Sequence, residues 1–443
     1  MSKGYWQDLF TASDPKLKIT WWLFLAGIIA LPYTTLAAIP IAIGLFLIIR
    51  LHVAEIRAAR LNQTLTFLSL AILLISLLSV DYLESLVFTV NIFPFFVFFA
   101  SYQYLFKHPD TLRKLAWVII LASIPMVIIG FGQLWGGWHI DLKAGSAQIL
   151  DVHKFGMPPG RMSAIFYHAN ALANYLQLVF TLCMGLWLDI YTLPNRQEQI
   201  FKPKFYFLSC YFAITLLGLI LTSARTGWVV TVLSIVSMII YQKWYLILGT
   251  ISLLISTIFG AAYAPDPAKT GLRQIVPSYF WARINDEMYP NRPAADTRES
   301  IFQFAGQLIA EKPWSGWGLQ TFGNLYRART GLYINHPHNL LLSLSYGLGV
   351  PITVFLVMVM AYIFYIAVRG FHCLPDRWKS ARTIVFSYII AAIGSIGMNM
   401  TDITIFVLPL NVMFWSILMA VYAIGKISIQ EHTNFSRGLT KSS

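Results

Sequence analysis

The sequence is poor in charged residues and in cysteine. Of its 443 residues only 12% are charged and 57% are hydrophobic, whereas soluble domains average about 25% charged and roughly 45–50% apolar residues. These proportions exclude a soluble globular enzyme and a disordered chain. Cys183, Cys210 and Cys373 are far apart and form no C-x-x-C pair, so neither a zinc site nor a disulfide framework is indicated.

Several signatures of soluble enzymes are also missing. The chain contains no G-x-x-x-x-G-K-[ST] phosphate loop and no H-E-x-x-H metal-binding pair. No pair of carboxylates of the glycosidase type is evident from sequence alone, and the outer acidic residues, such as Asp402, are scattered. The residues therefore indicate no metal site.

Long apolar segments recur along the chain and predict an all-α fold. Because backbone groups in lipid must bond internally, each segment should be helical, giving a polytopic membrane helix bundle of about 12 transmembrane helices. The predicted spans lie at about residues 19–32, 35–50, 64–80, 85–106, 114–134, 168–191, 205–222, 227–242, 244–262, 339–367, 383–400 and 404–425.

Basic residues predict the orientation of these spans. The net charge is +13, but lysine and arginine punctuate the apolar spans instead of pooling in one patch, which argues against nucleic acid as a partner. With both termini in the cytoplasm, most basic residues fall on the cytoplasmic side. The predicted organisation is helices one to nine in residues 1–262, a large periplasmic loop in 263–337, and helices ten to twelve with a cytoplasmic tail in 338–443.

The remaining basic residues are concentrated in three outer segments and are mostly arginine, the side chain suited to bidentate contacts with phosphate. They are Lys143, Lys154, Arg161, Arg225, Lys269, Arg273, Arg283, Arg292, Arg298, Lys312, Arg327 and Arg329. One interpretation is an anion-binding site, and the other is ordinary solvation of long loops.

Helix direction supports the first interpretation. Three predicted spans begin on the outer side, at His168 and Asn170, at Arg225, and at His338 and Asn339. Helix N-termini present free N–H groups and a positive dipole end, so three of them beside arginine would favour an anion. The sequence alone leaves open whether they converge.

The large loop should contain an amphipathic helix at about residues 297–312. Asp296 and Glu299 have the spacing of a capping box, apolar residues follow on one side, and Pro313 ends the pattern. Arg298 lies in the first turn, where the dipole disfavours a cation unless an anion is bound. The apolar side would pack on the bundle or touch lipid.

Two histidines, His336 and His338, lie at the start of the tenth predicted span. A histidine at a helix start is often only a cap, but imidazole is also the side chain best suited to move protons near neutral pH. We predict a catalytic role for His338 and a weaker one for His336, which precedes Pro337.

The sequence resembles the O-antigen ligase superfamily, which also contains bacterial polysaccharide polymerases. The likeness covers about residues 160–350, in four segments whose order and spacing match: Arg161 to Ala173 with its Asn-Ala-Leu-Ala end, Ser223-Ala-Arg-Thr-Gly227, Arg298 through Trp314-Ser-Gly-Trp-Gly318, and His338-Asn-Leu-Leu-Leu with Gly347-Leu-Gly349.

The resemblance implies a GT-C-like, metal-independent glycosyltransferase of the inner membrane that needs no cofactor. Its donor would be a glycan on undecaprenyl pyrophosphate, transferred at the periplasmic face to lipid A-core or, in some relatives, to protein. Arg225 and Arg298 would bind the pyrophosphate and His338 would act as the base. Arg161, Asn170, His336 and Asn339 are supporting candidates, and the His336-Pro-His338 sequence leaves the choice of base open.

Two alternatives remain at this point, besides a non-catalytic scaffold within an envelope-assembly complex, which would leave the outer arginines and histidines without a role. A polysaccharide polymerase, which joins lipid-linked repeat units, shares the same motifs. An inorganic-carbon (bicarbonate) transporter belongs to another class of protein, and a basic outer surface would attract its anion too. Coupled transporters usually place ionisable residues near the bilayer midplane, whereas the predicted span centres hold Asn91, Gln177 and Asn411. The sequence therefore favours the enzyme.

Overall fold

The computed structural model of the chain describes residue 11 and residues 14–144, 147–193, 196–285, 287 and 297–439. The described part is mostly helical, as predicted. Its first eight helices are α1 (Lys18–Ala30), α2 (Ala38–Ala58), α3 (Arg60–Leu77), α4 (Tyr82–Phe88), α5 (Phe93–Tyr102), α6 (Asp110–Trp135), α7 (Ala169–Tyr191) and α8 (Arg196–Ile200).

The second half of the described chain continues the same architecture. Its helices are α9 (Pro203–Leu221), α10 (Arg225–Tyr241), α11 (Tyr245–Tyr263), α12 (Ala268–Ile275), α13 (Ser278–Ile284), α14 (Arg298–Glu311), α15 (Phe322–Thr330), α16 (Leu340–Leu348), α17 (Val350–His372), α18 (Arg382–Asn399) and α19 (Leu408–Leu439). A two-stranded antiparallel hairpin, β1 (Ile140–Ala144) with β2 (Ala147–Val152), separates α6 from α7.

Among the described residues, ten helical segments are long and apolar enough to cross a membrane, compared with the twelve spans predicted. The other two predicted spans are helical but short. Helix α1 has 13 residues and α10 has 17. At 1.5 Å per residue these helices measure about 20 and 26 Å, less than the roughly 30 Å of a hydrocarbon core.

Helix α7 is the centre of the bundle. Its apolar window is 94% buried, against 11% for α11, and it packs on α6, α9, α10 and α18. Small side chains permit the closest approaches: a Cβ on Gly227 of α10 would lie 3.0 Å from the Cβ of Ala173 on α7. This contact fixes the start of α10 beside the start of α7, where the candidate site lies.

The prediction of one continuous helix over residues 339–367 is wrong, because the chain breaks at Gly349 between α16 and α17. Gly349 has φ +80°, and a Cβ there would lie 2.3 Å from the carbonyl oxygen of Trp314. The backbone N–H groups of Trp317 and Gly318 donate to the carbonyls of Tyr346 and Gly347 at 2.7 and 3.0 Å. The two glycine-containing segments, 314–318 and 347–349, therefore contact each other through their backbones.

Helix α14 packs on protein. Ile301, Phe304, Ala305 and Leu308 form a small separate core with residues of α15 and α16. The predicted N-cap is wrong. Thr297 is the N-cap, and its side chain accepts from the backbone N–H of Ser300. Glu299 is the second residue of the helix, and Asp296 is outside the described residues. This packing fixes the position of the first turn of α14, which contains Arg298.

Candidate active site

A cavity of about 1130 Å³ opens where α7, α10, α14 and α16 begin and where α18 turns into α19. Seven residues were predicted from the sequence to belong to the site. Six of them line this cavity: Arg161, Asn170, Arg225, Arg298, His336 and His338. Groups that are up to 177 positions apart in the chain, from Arg161 to His338, therefore share one space.

The seventh residue, Asn339, has a different position. It is the N-cap of α16: its side-chain oxygen accepts from the N–H of Leu342 at 3.0 Å, and its amide donates to the carbonyl of Met400 at 2.9 Å. Both ends of the side chain are used in backbone contacts, and it is not among the cavity-lining residues. Asn339 fixes the turn after α18 against the start of α16.

Arg161 is a buried bridge between segments. Its Nε donates to the carbonyl of Thr222 at 2.8 Å, and one of its NH2 groups donates to Oδ1 of Asn170 at 2.6 Å. The side chain is only 9% exposed. A guanidinium held in this way adds positive charge to the cavity wall and orients Asn170, whose own amide donates to Asp402 at 2.6 Å.

The turn that precedes α10 is held in an unusual conformation by helix α13. Ser223 has φ +50°, a region that residues other than glycine rarely adopt. Its hydroxyl is hydrogen-bonded to the hydroxyl of Tyr279, and its carbonyl accepts from Nε of Arg283 at 3.0 Å. Helix α13 thereby positions Arg225, the first residue of α10, and brings Arg283 into the cavity wall.

His338 and Asp402 form a hydrogen-bonded pair at the cavity. Nδ1 of His338 lies 2.9 Å from Oδ1 of Asp402. Burial favours the neutral carboxyl, but the hydrogen bonds from His338 and Asn170 hold the pKa of Asp402 well below its usual range. An ionised carboxylate only accepts, so the proton between the two atoms belongs to Nδ1. The Nε2 atom of a neutral His338 is therefore left with its lone pair.

The two other histidines that line the cavity, His336 and His168, have the opposite tautomer, with the proton on Nε2. Nδ1 of His336 accepts from the backbone N–H of His338 at 3.2 Å, and Nδ1 of His168 accepts from that of Asn170 at 3.1 Å. Burial lowers the pKa of His336 to about 4 and also lowers the pKa of His168. Both rings are thus neutral near pH 7 and carry their proton on Nε2.

A metal ion bound by these groups would compete with their hydrogen bonds. His336, His338 and Asp402 each offer one ligand atom within 4.8 Å of the others. The Nδ1 of His336 already accepts a backbone hydrogen bond, and Oδ1 of Asp402 already accepts from His338. Four guanidinium groups line the same cavity, which makes it electrostatically unfavourable for a cation.

Among the histidines, arginines and carboxylates that line the cavity, His168, Arg283 and Asp402 were not assigned a role from the sequence. Asp402 lies 64 positions after His338, so no local motif links the two. The available signal was an acidic residue in a short connection between apolar helices. Arg283 belonged to the set of outer arginines and had no motif of its own; in the structure it is buried, as Arg161 is. Arg292 of that set lies outside the described residues.

The comparisons with known proteins give one family. Residues 210–357 match a family model described as O-antigen ligase. The matched stretch contains Arg225, Arg283, Arg298, His336 and His338, whereas Arg161, Asn170 and Asp402 lie outside it. No curated protein matches the chain. The order of the motifs agrees with this match: over residues 210–357 the chain is similar to the O-antigen ligase family, and its ten long apolar helices among the described residues are those of a multi-pass membrane protein.

Proposed function

We propose that this protein transfers a glycan from an undecaprenyl-pyrophosphate-linked donor to an acceptor hydroxyl, on lipid A-core or on another acceptor. The reaction takes place at the periplasmic face of the inner membrane. The observation that carries the proposal is the cavity in which Arg161, Arg225, Arg283 and Arg298 surround the His338–Asp402 pair. Cationic donors and one oriented base are what displacement of a pyrophosphate requires.

Arg225 and Arg298 bind the pyrophosphate of the donor. Arg225 begins α10 and Arg298 begins α14, so each helix adds its N-terminal dipole to the guanidinium charge. A bound pyrophosphate also offsets the unfavourable position of Arg298 in a first helical turn. The buried Arg161 and Arg283 support the site by positioning Asn170 and the turn at Ser223.

His338 acts as the general base. Its Nε2 takes the proton from the acceptor hydroxyl while the oxygen attacks the anomeric carbon, and the bond from that carbon to the phosphate oxygen breaks. Undecaprenyl pyrophosphate leaves with the bonding electrons, stabilised by the arginines. Asp402 holds the imidazole in the required tautomer and stabilises the imidazolium that forms. His336 and His168 have Nδ1 occupied and serve as neutral donors.

The lipid part of the donor has a matching surface. Phe88, Phe406 and Val407 line the cavity together with the polar groups. The ring centroids of Phe88 and Phe406 lie 4.8 Å apart. Such an apolar wall beside cationic groups suits the junction between a pyrophosphate and an isoprenoid chain. The reaction uses no metal, because the histidine and carboxylate that a cation would need form the base pair.

A deletion strain tests the function and its alternatives together. Loss of a ligase leaves bare lipid A-core and an accumulated lipid-linked polymer. Core that carries a single repeat unit would instead identify a polymerase. An unchanged surface glycan, together with saturable bicarbonate uptake by liposomes that contain only this protein, would replace the proposal with transport.

A further inference from the structure

One part of the cavity wall has no role in the proposed binding of the pyrophosphate. Gln320 and Asn335 line it, both from the segment between α14 and α16, and neither is charged. Pockets of about 300–1000 Å³ already enclose most of a drug-sized ligand. A cavity of about 1130 Å³ therefore has room for more than a diphosphate head.

The two amides form one hydrogen-bonded unit. Nε2 of Gln320 donates to Oδ1 of Asn335 at 2.9 Å, and the hydroxyl of Tyr333 donates to the same oxygen at 3.3 Å. The ring of Tyr333 is itself held by the guanidinium of Arg327, 4.8 Å from the ring centroid. Asn335 is therefore oriented before any ligand arrives.

This bonding decides what the pair presents to a ligand. Both lone pairs of the Asn335 oxygen are used, so its NH2 group supplies the donors, while the side-chain oxygen of Gln320 supplies an acceptor. A set that mixes donors with an acceptor matches neighbouring sugar hydroxyls, each of which donates and accepts. It is poorly matched to a phosphate, which only accepts.

The backbone of Gln320 is also constrained. Its φ is +66°, in the left-handed region, and it follows Gly318, where a Cβ would lie 2.4 Å from the side chain of Ser79. The packed turn holds Gln320 at the cavity wall. Asn335 directly precedes His336, whose ring lies 4.5 Å from that of His338, so the amide pair adjoins the proposed base.

We propose that Gln320 and Asn335 form a subsite for a sugar ring, next to the base and separate from the arginines. The inference rests on the proposed function and names the part of the substrate that this wall binds: a neutral, hydroxyl-bearing sugar. Two sources supply that chemistry, the first sugar of the donor and the sugar of the acceptor.

Steady-state kinetics of the full-length protein in detergent test the subsite. The substrates are a polyprenyl-pyrophosphate-linked oligosaccharide and rough lipopolysaccharide, and inorganic pyrophosphate is the competitive inhibitor that reports on the arginines. Gln320→Gly removes the amide and keeps the left-handed backbone, and Asn335→Ala removes the other amide. The matched control is Asn324→Ala on α15, whose amide contacts Glu84 at 3.3 Å and does not line the cavity.

Each test variant should raise the KM of one sugar substrate about 3–10-fold, as expected for loss of a neutral hydrogen bond. The inhibition constant of pyrophosphate should stay unchanged, and the control should behave as wild type. The substrate whose KM rises identifies the source of the sugar. Unchanged KM values for both substrates in both variants would overturn the subsite.

The proposed function fails by a different result. If Arg225→Ala weakens pyrophosphate inhibition and transfer while the amide variants change nothing, only the subsite is wrong. If Arg225→Ala leaves transfer and pyrophosphate inhibition at wild-type values, the proposed function is wrong, and the subsite falls with it.

Discussion

Nδ1 of His338 lies 2.9 Å from Oδ1 of Asp402, and this contact fixes the tautomer of His338. Asp402 also accepts from Asn170 at 2.6 Å, and Asn170 accepts from Arg161. The chain of contacts fixes one imidazole with a basic Nε2, whereas His168 and His336 present protonated Nε2 atoms. The three neighbouring histidines therefore have two different tautomers.

Asp402→Asn tests the tautomer. An asparagine amide in this position donates to Nδ1 of His338 and leaves the proton on Nε2, where it blocks base catalysis. We expect kcat to fall about 10²–10⁴-fold, in the range of general-base catalysis, with little change in the KM of the donor. Both constants are measured from steady-state rates with a purified lipid-linked glycan. An Asp402→Asn protein with wild-type kcat would contradict the assigned tautomer of His338.

Arg225→Lys separates bidentate binding from simple charge. Lysine keeps the positive charge but loses the planar fork that contacts two phosphate oxygens. We expect the KM of the donor and the inhibition constant of pyrophosphate to rise at least about tenfold, since hydrogen bonds to charged groups are worth roughly 1.5–3 kcal/mol.

The matched control for Arg225 is Arg329→Lys. Arg329 makes a bidentate contact with Glu311 at 2.6 and 2.8 Å and is not among the residues that line the cavity. It should leave both constants unchanged. Equal effects of the two substitutions would point to general surface charge instead of a specific phosphate contact.

His336→Asn tests, through the pH dependence of stability, the partly buried neutral imidazole of His336. Burial holds the pKa of His336 at about 4 in the folded protein, against about 6.5 when unfolded. The unfolded chain binds more protons between these values, so the free energy of unfolding falls as pH drops from about 6.5 to about 4. The loss is on the order of 2–3 kcal/mol.

An asparagine at position 336 can still accept from the N–H of His338, but it does not titrate. The melting temperature of His336→Asn should therefore fall less than that of wild type between pH 7 and pH 4.5. Parallel curves for the two proteins would show that another group titrates.

Chelation tests the absence of a metal. If the base pair works as proposed, EDTA should leave the rate of transfer unchanged. Added Zn²⁺ should inhibit instead, because it competes for His338 and Asp402, the ligands that the reaction needs. Loss of activity in EDTA that Mg²⁺ or Mn²⁺ restores would contradict this part of the mechanism.

The sequence predicted the fold class because long apolar runs leave helices as the main solution in lipid. It did not predict the break at Gly349, whose apolar surroundings look like one continuous span; the cause is a backbone contact with Trp314, 35 positions away. The cap of α14 was misassigned by one residue because Asp296 and Thr297 are both good N-caps.

The candidate site was partly predictable for a related reason. Arg225 and Arg298 begin helices, and His338 lies two residues before one. Helix starts are visible as junctions between polar and apolar sequence. Asp402 lies in a turn with no distinctive pattern, and its role depends on Asn339 holding that turn beside α16. Such long-range pairings have no local trace in a single sequence.

Transfer by the purified full-length protein tests the central claim most directly. Wild-type protein and His338→Asn, a residue that tolerates the φ of +52° at this position, are given a polyprenyl-pyrophosphate-linked glycan and rough lipopolysaccharide. We expect wild type to form the glycan–acceptor product without added metal, and His338→Asn to lose at least about a hundredfold in rate while pyrophosphate still binds. Equal rates for the two proteins would contradict the account.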